Sequence, residues 1–335
     1  MLHKNMHVFS PMSIRIDACS ECQLRCPLCS NARPGSIIGR GKLRFEDFRR
    51  LIDNNPFIRK VELGSKGEAF LNEELPGILE YAFRKNIMTT LAHGVNLNDV
   101  SDEALEALVR FKTYRIRVSI DGATQETYRK YRVGGDLKRV FENIRKINAL
   151  KKKHKSVKPY LRFQFIVFGH NEHEIPQAAL LARMLNMDVH FKLNVDPEAF
   201  PVTNRPLIRQ YIGYSDRREF FEKEGKEYSR ATCLQLWKGP QINGDGRLLG
   251  CTRNTWRAFP GNVFHDDLLT SLNGEKMKYA RNMIMGRVPH DEAIPCAECF
   301  LYKSMREHGN WITETEIRES LQKFSDFLDA NQCAT

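Results

Sequence analysis

The sequence predicts an α/β fold: an open barrel of six β/α units followed by a smaller, cysteine-bearing domain. Two patterns carry this expectation. Between residues 13 and 195, strand-like runs alternate with amphipathic segments at helical spacing, the pattern of a parallel sheet with helices outside. Beyond residue 200 the alternation stops and turn signals crowd in: Gly239-Pro240, Gly244-Asp245-Gly246 and Pro260-Gly261-Asn262. The length agrees, since 335 residues suit one domain of about 200 residues plus a smaller one.

Residues 14–16 read as a first short strand. Residues 45–52 follow as a helix with Glu46 and Asp47 in its first turn, where acids suit the helix dipole. Residues 60–63 form a second strand and 75–85 a helix. Residues 88–92 read as strand three, and 101–111 as a helix capped by Ser101 with Glu103 behind it. Strand four spans 115–120. The long amphipathic helix 137–152 ends in the basic run at 151–155, whose cations complement the helix C-terminus. Strand five (161–168), its helix (174–185) and strand six (189–195) complete the series. Six units fall short of the eight that close a barrel, so a partial (β/α)6 TIM-like barrel is expected. Pro201 and Pro206 mark a linker, residues 209–228 a polar helix, and Leu248-Leu249 a hairpin strand. The expected organisation is a barrel over 1–200, a linker helix over 201–230 and a second, loop-rich domain over 231–335.

Hydrophobic residues at 41% allow a sizeable core. No apolar run approaches the roughly 18 residues that span a bilayer, and residues 1–11 lack a signal-peptide pattern, so a cytoplasmic protein without a membrane partner is expected. The net charge of +11 admits an anionic partner. Its basic residues are dispersed and no nucleic-acid motif accompanies them, so nucleic acid is not expected. A small-molecule substrate, anionic or sugar-like, remains open.

The nine cysteines number too many to be incidental and too few for a disulfide framework in a chain this long. They fall into two distant groups, with Cys333 apart in the tail, a pattern that points to metal. Cys22, Cys26 and Cys29 sit on one loop just after the first strand, at the sheet end where α/β barrels place chemistry. Three thiolates can grip three irons of a [4Fe–4S] cluster and leave the fourth iron open, as catalysis needs. A zinc knuckle with Cys19 as fourth ligand is the alternative, although Cys19 also reads as a plain small residue at the strand end.

The Cys-x3-Cys-x2-Cys string resembles the signature of the radical S-adenosylmethionine (radical SAM) superfamily. The resemblance implies that the open iron binds the amino and carboxylate groups of SAM. One electron from the cluster then breaks the sulfonium bond, giving methionine and a 5′-deoxyadenosyl radical. Gly64-Ser65-Lys66-Gly67-Glu68-Ala69 resembles the family's Gly-Gly-Glu-Pro motif, in which backbone and glutamate meet the SAM ammonium. Gly67 and Glu68 match, whereas Lys66 and Ala69 depart from it, and a plain βα turn would also use these glycines. The segment from Ser119 to Gly122, with Arg132 to Gly135, resembles the family's ribose and carboxylate site. Ser119 and Arg132 are carried over on that basis, while Asp121 equally suits a turn cap. Leu28 takes the place of the aromatic residue that stands near the adenine.

Cys233, Cys251, Cys296 and Cys299, with Gly246 and Gly261-Asn262-Val263, resemble the shorter, twitch type of SPASM C-terminal domain. That implies one fully ligated auxiliary [4Fe–4S] cluster suited to electron transfer; a four-cysteine zinc site fits the spacing equally. The overall resemblance, over about residues 13–305, is to the one-auxiliary-cluster dehydrogenases that oxidise an aminocyclitol alcohol. Sulfatase-maturing relatives carry an aspartate after the cysteine of Gly-x4-Cys. Here Thr252 and then Arg253 follow, so that reaction is not expected. A leader-binding domain, usual in peptide-modifying relatives, is not expected either, because the first strand begins near residue 13. The expected function is oxidation of a small polar alcohol by SAM-derived radical chemistry, with flavodoxin or ferredoxin as electron donor. A peptide maturase, an epimerase and a zinc-stabilised binding protein are the alternatives.

Overall fold

The computed structural model describes residues 9–30 and 35–332. Six parallel strands form the expected series: β1 (Ser13–Ile16), β2 (Lys60–Glu62), β3 (Met88–Val95), β4 (Arg115–Ser119), β5 (Tyr160–Val167) and β6 (Asp188–Leu193). The helices between them are α1 (Phe45–Asp53), α2 (Leu75–Arg84), α3 (Asp102–Arg110), α4 (Gln125–Tyr131), α5 (Leu137–Lys153) and α6 (Ile175–Met184). Their ends follow local chemistry. The Ser101 side chain accepts from the Ala104 amide at 3.1 Å, Thr124 caps α4 and Asp136 caps α5, while Lys151, Lys152 and Lys153 occupy the last turn of α5.

Each strand turns alternate residues two ways. Ile14, Ile16, Val61, Leu91, Ile116, Val118, Phe163 and Phe165 are buried against the helices. Burying a side chain of this kind contributes roughly 1.5–3 kcal/mol. The intervening residues Arg15, Glu62, Arg117, Arg162 and Lys192 lie close enough inside the open barrel to act on one another's charge.

The structure extends the sheet beyond the expected six strands. Its order is β6-β5-β4-β3-β2-β1-β7-β8, because β7 (Gln241–Ile242) pairs parallel to β1 and β8 (Leu248–Gly250) pairs antiparallel to β7. The hairpin seen in the sequence is thus an extension of the barrel wall.

The linker is two helices, α7 (Arg205–Ile212) and α8 (Arg217–Glu224), instead of one. Gly213, at φ +90°, ends the first. Asp216 starts the second by accepting the Arg218 and Glu219 amides at 2.9 Å each. The C-terminal part is also more helical than expected. It contains the short α9 (Gln235–Lys238), α10 (Leu268–Leu272), α11 (Glu275–Ile284), α12 (Phe300–His308) and α13 (Glu314–Gln332). α13 closes the N-terminal end of the barrel: Asp329 pairs with Arg59 at 2.8 Å and Phe327 packs edge-on to Tyr114. The opposite, C-terminal end of the strands stays available for a site. Among the described residues no helix is long and apolar enough to cross a membrane. Cys333 lies outside the described residues.

Candidate active site and metal centres

The loop leaving β1 is pinned before it reaches the first cysteines. Ala18 donates to the Leu63 carbonyl, Ser20 donates to Gly41, and fully buried Cys19 forms an antiparallel bridge with Lys42. Burial pushes the Cys19 thiol up to about 11. Cys22, Cys26 and Cys29 then gather at the C-terminal end of the sheet, near enough for mutual repulsion. Gln23 Oε1 accepts from Cys22 Sγ at 3.7 Å, and two side chains turn donors toward the sulfurs. Arg132 Nη1 donates to Cys26 Sγ at 3.5 Å, and Asn96 Nδ2 lies 3.7 Å from Cys22 Sγ. Burial pushes Cys22 up to about 12 and raises Cys26 against the pull of Arg132. Such thiols keep their protons until a metal replaces them.

Arg132 is fixed from behind: its Nε donates to Asp121 Oδ2 at 2.6 Å. Asp121 is fully buried at φ +52°, and its other oxygen accepts the Ile166 amide at 2.6 Å. Asp121 thus shapes the turn after β4 and holds the arginine.

Gly67 adopts φ +63°. A Cβ there would stand 2.3 Å from the Cys19 carbonyl oxygen and 2.6 Å from that of Glu21, so only glycine fits. This close approach lets the Glu68 amide donate to Glu21 at 2.7 Å and sets its carboxylate beside the cysteine loop. Glu68 is 1% exposed, and burial raises it to about 7. Its Oε2 accepts the Asn96 amide at 2.6 Å, while its Oε1 is buried without a partner among the described residues. A buried carboxylate oxygen left bare is costly, and an ammonium group would satisfy it.

Lys66, which departs from the family motif, has its own anchorage. The Ser65 and Lys66 amides donate to Asp17 Oδ1, and Lys66 Nζ donates to Ser30 Oγ at 2.8 Å, next to Cys29. Ser119 is buried and accepts from Gln164 Nε2 at 3.0 Å; it sits behind the cavity wall, whereas Leu28 lines the cavity itself.

The second group also comes together. Cys233 lies in the turn Arg230–Leu234, Cys251 directly follows β8, and Cys296 and Cys299 flank the turn before α12. All four line one apolar hollow walled by Leu236, Leu249, Phe259 and Ile284. Burial pushes Cys233, Cys251 and Cys296 upward, with mutual repulsion adding to it. Among the described residues no group of three or more cysteine, histidine or carboxylate side chains closes around a single point. Tetrahedral zinc draws its sulfurs to about 2.3 Å from one centre. Four sulfurs around one hollow suit either such a zinc ion or a multi-iron cluster that carries thiolates on its corners.

Between the two cysteine groups lies a cavity of about 480 Å3. Leu28 and Ser30 wall one side, beside Cys29. Thr232, Thr252 and Arg253 wall the other, beside Cys233 and Cys251. Lys66, His93, Lys192, Arg217, Tyr228 and Trp256 also line the cavity. Sequence reasoning assigned none of these six a role. Lys192 had a trace, as the next-to-last residue of β6. Arg217 and Trp256 had none, since only the fold brings α8 and the segment after Cys251 to the barrel mouth.

Residues 19–182 match the family model of the Radical SAM superfamily. A GTP 3′,8-cyclase from Clostridium botulinum is 22% identical over 186 residues, 53% of this chain and 54% of that protein, so the chain spans about half the length of the curated relatives it matches. Among solved structures, Streptococcus suis SuiB bound to precursor peptide SuiA gives a TM-score of 0.61 at 13% identity, over 88% of this chain and 70% of that one. The AdoMet-bound anSMEcpe structure gives 0.55 at 16% identity, over 88% and 87%. BtrN in complex with AdoMet and 2-DOIA gives 0.49 at 13%, over 87% and 93%. These likenesses are of fold. The matched model and the three-cysteine loop at the barrel mouth make residues 19–182 a Radical SAM domain.

Proposed function

We propose that the chain is a radical SAM oxidoreductase that removes two electrons from a small polar alcohol held between two [4Fe–4S] sites. The observation that carries this reading is the single cavity bounded by the neighbours of Cys29 on one side and of Cys233 and Cys251 on the other. A cluster on Cys22, Cys26 and Cys29 with SAM would supply a 5′-deoxyadenosyl radical, and one on Cys233, Cys251, Cys296 and Cys299 an electron acceptor.

The chain's own residues prepare the site. Gly67 brings Glu68 against the cysteine loop, and the bare Oε1 of Glu68 receives the SAM ammonium. Arg132, held by Asp121, opposes the charge on Cys26. Leu28, Tyr131, Ile166 and Phe168 give the cavity an apolar corner for the adenosyl group. Ser119 acts from behind the wall through Gln164. The open mouth beside the cysteine loop admits a reduced flavodoxin or ferredoxin. The three-part organisation expected from the sequence serves this arrangement, with barrel and C-terminal segment each carrying one cysteine site.

Glu68→Gln is expected to weaken SAM binding about tenfold or more, since a hydrogen bond to a charged group is worth about 1.5–3 kcal/mol. Iron content should stay unchanged. Equilibrium binding of SAM to the reconstituted protein measures this, and wild-type affinity in the variant would remove Glu68 from the site.

The reaction itself is tested by mass spectrometry on a panel of sugars and cyclitols, with and without phosphate, incubated anaerobically with SAM and dithionite. The expected product is two mass units lighter than its substrate. With the carbinol carbon deuterated, deuterium should appear in 5′-deoxyadenosine. A product of unchanged mass that takes solvent deuterium at that carbon would establish epimerisation instead.

A further inference from the structure

Four cationic side chains, Lys66, Lys192, Arg217 and Arg253, line the cavity between the two cysteine sites, and among the described residues no carboxylate lines it with them. Lys66 has Asp17 nearby to offset its charge. The other three form no ion pair among the described residues. Lys192 Nζ reaches only Gln164 Oε1, at 3.5 Å. Arg217 spends two weak bonds, each 3.4 Å, on Ser229 Oγ and the Leu193 carbonyl, and stacks over Tyr228. Arg253 stacks over Phe300 at 4.2 Å. The Nε atoms of both arginines are buried without a partner.

These cations also face one another. Arg253 repels Arg217, and Arg217 repels Lys192. Burial and that repulsion together bring Lys192 down to about 8 and Arg217 to about 10. Gathering like charges in a half-closed cavity is unfavourable unless a ligand neutralises them. Cluster thiolates would offset part of this charge beside Arg253, but no cysteine sulfur among the described residues accepts a hydrogen bond from Lys192, Arg217 or Arg253, and SAM brings one carboxylate. Guanidinium forks match phosphoryl oxygens in pairs, and Ser229, Thr252 and Thr255 in the same wall add hydroxyl donors.

From this juxtaposition we infer that the substrate is a phosphorylated small molecule, its phosphoryl group clamped by Arg217, Arg253 and Lys192. The inference rests on the proposed function for the location of the substrate, and narrows it: a free aminocyclitol carries positive charge and would be repelled here, whereas a phosphorylated sugar or polyol would be drawn in.

The test uses the anaerobically reconstituted protein with SAM bound, inorganic pyrophosphate as the probe and citrate as a carboxylate control, by titration calorimetry. Pyrophosphate should bind, more tightly than citrate. Arg217→Gln with Arg253→Gln should weaken it about a hundredfold, at about tenfold per guanidinium. Lys192→Met is the second variant, should the double variant lose iron or helical circular dichroism. Wild-type protein that cleaves SAM but does not bind pyrophosphate, or binds citrate as tightly, overturns this inference alone. Retention of pyrophosphate affinity in a folded variant does the same. Absence of SAM cleavage in the wild-type sample overturns the proposed function instead.

Discussion

Replacing Cys22, Cys26 and Cys29 together by alanine is expected to abolish SAM cleavage and to remove about half of the iron and sulfide. Reconstituted wild-type protein should hold about eight irons from two four-iron clusters, and the triple variant about four. The loop has few other means to hold metal. Arg132 and the Asn96 amide turn donors toward the sulfurs, and the nearby Glu68 carboxylate already holds the Asn96 backbone amide. The variant should still fold, because the loop is anchored by Ala18, Ser20 and Gly67, and the core residues of β1 lie upstream of it. Iron and sulfide assays with chromatography of 5′-deoxyadenosine measure both outcomes. Stoichiometric zinc without sulfide in protein purified without oxygen would defeat the whole reading. Retention of nearly all iron in the triple variant would show that the first site is not a cluster site.

The barrel strands were legible because each alternates a helix-facing apolar residue with an inward polar one, as Ile14, Arg15 and Ile16 do, and because Ser101 announces a helix. The first cysteine group was legible for a similar reason: its three sulfurs lie within eight residues of sequence. What the sequence hid depends on contacts between distant segments. The pairing of Arg15 with Gln241 leaves no local trace, so the extension of the sheet by β7 and β8 could not be read. The break between α7 and α8 had local signals, Gly213 and Asp216, that the overall polarity of the segment outweighed. α11, α12 and α13 were missed because turn residues around them drew attention to loops.

The net positive charge is the clearest case. Along the sequence its basic residues look scattered. In space Arg15, Arg117, Arg162 and Lys192 share the barrel interior with Glu62, and Lys66, Arg217 and Arg253 ring its mouth. Lysine at position 66, where the family motif has glycine, is a departure that the structure explains. The side chain folds inward to Ser30 and stands between Cys29 and Cys251, so it adds charge to the cavity while the backbone turn survives.

Cys296→Ala is expected to leave SAM cleavage in place while two-electron oxidation of the substrate falls to near zero. The two cysteine groups hang on separate scaffolds: Cys22, Cys26 and Cys29 on the loop after β1, and Cys296 on the turn before α12. Loss of one thiol therefore leaves the first site untouched. In the second site it removes one of four sulfurs around a hollow whose described lining holds no other cysteine, histidine or carboxylate. A carbon-centred radical formed in the cavity would then lack an acceptor on the Cys251 side. Returning a hydrogen to it would regenerate substrate or its epimer. The turn around Cys296 should hold, because Cys299 donates to the Cys296 carbonyl through the backbone and Trp256 Nε1 donates to the Pro295 carbonyl at 2.9 Å, bonds that alanine keeps. Ligation energy nonetheless supports small metal sites, so circular dichroism and iron content accompany the assay, with about four irons expected. Product at the wild-type rate from a folded variant that has lost that iron would show that oxidation does not use the second site.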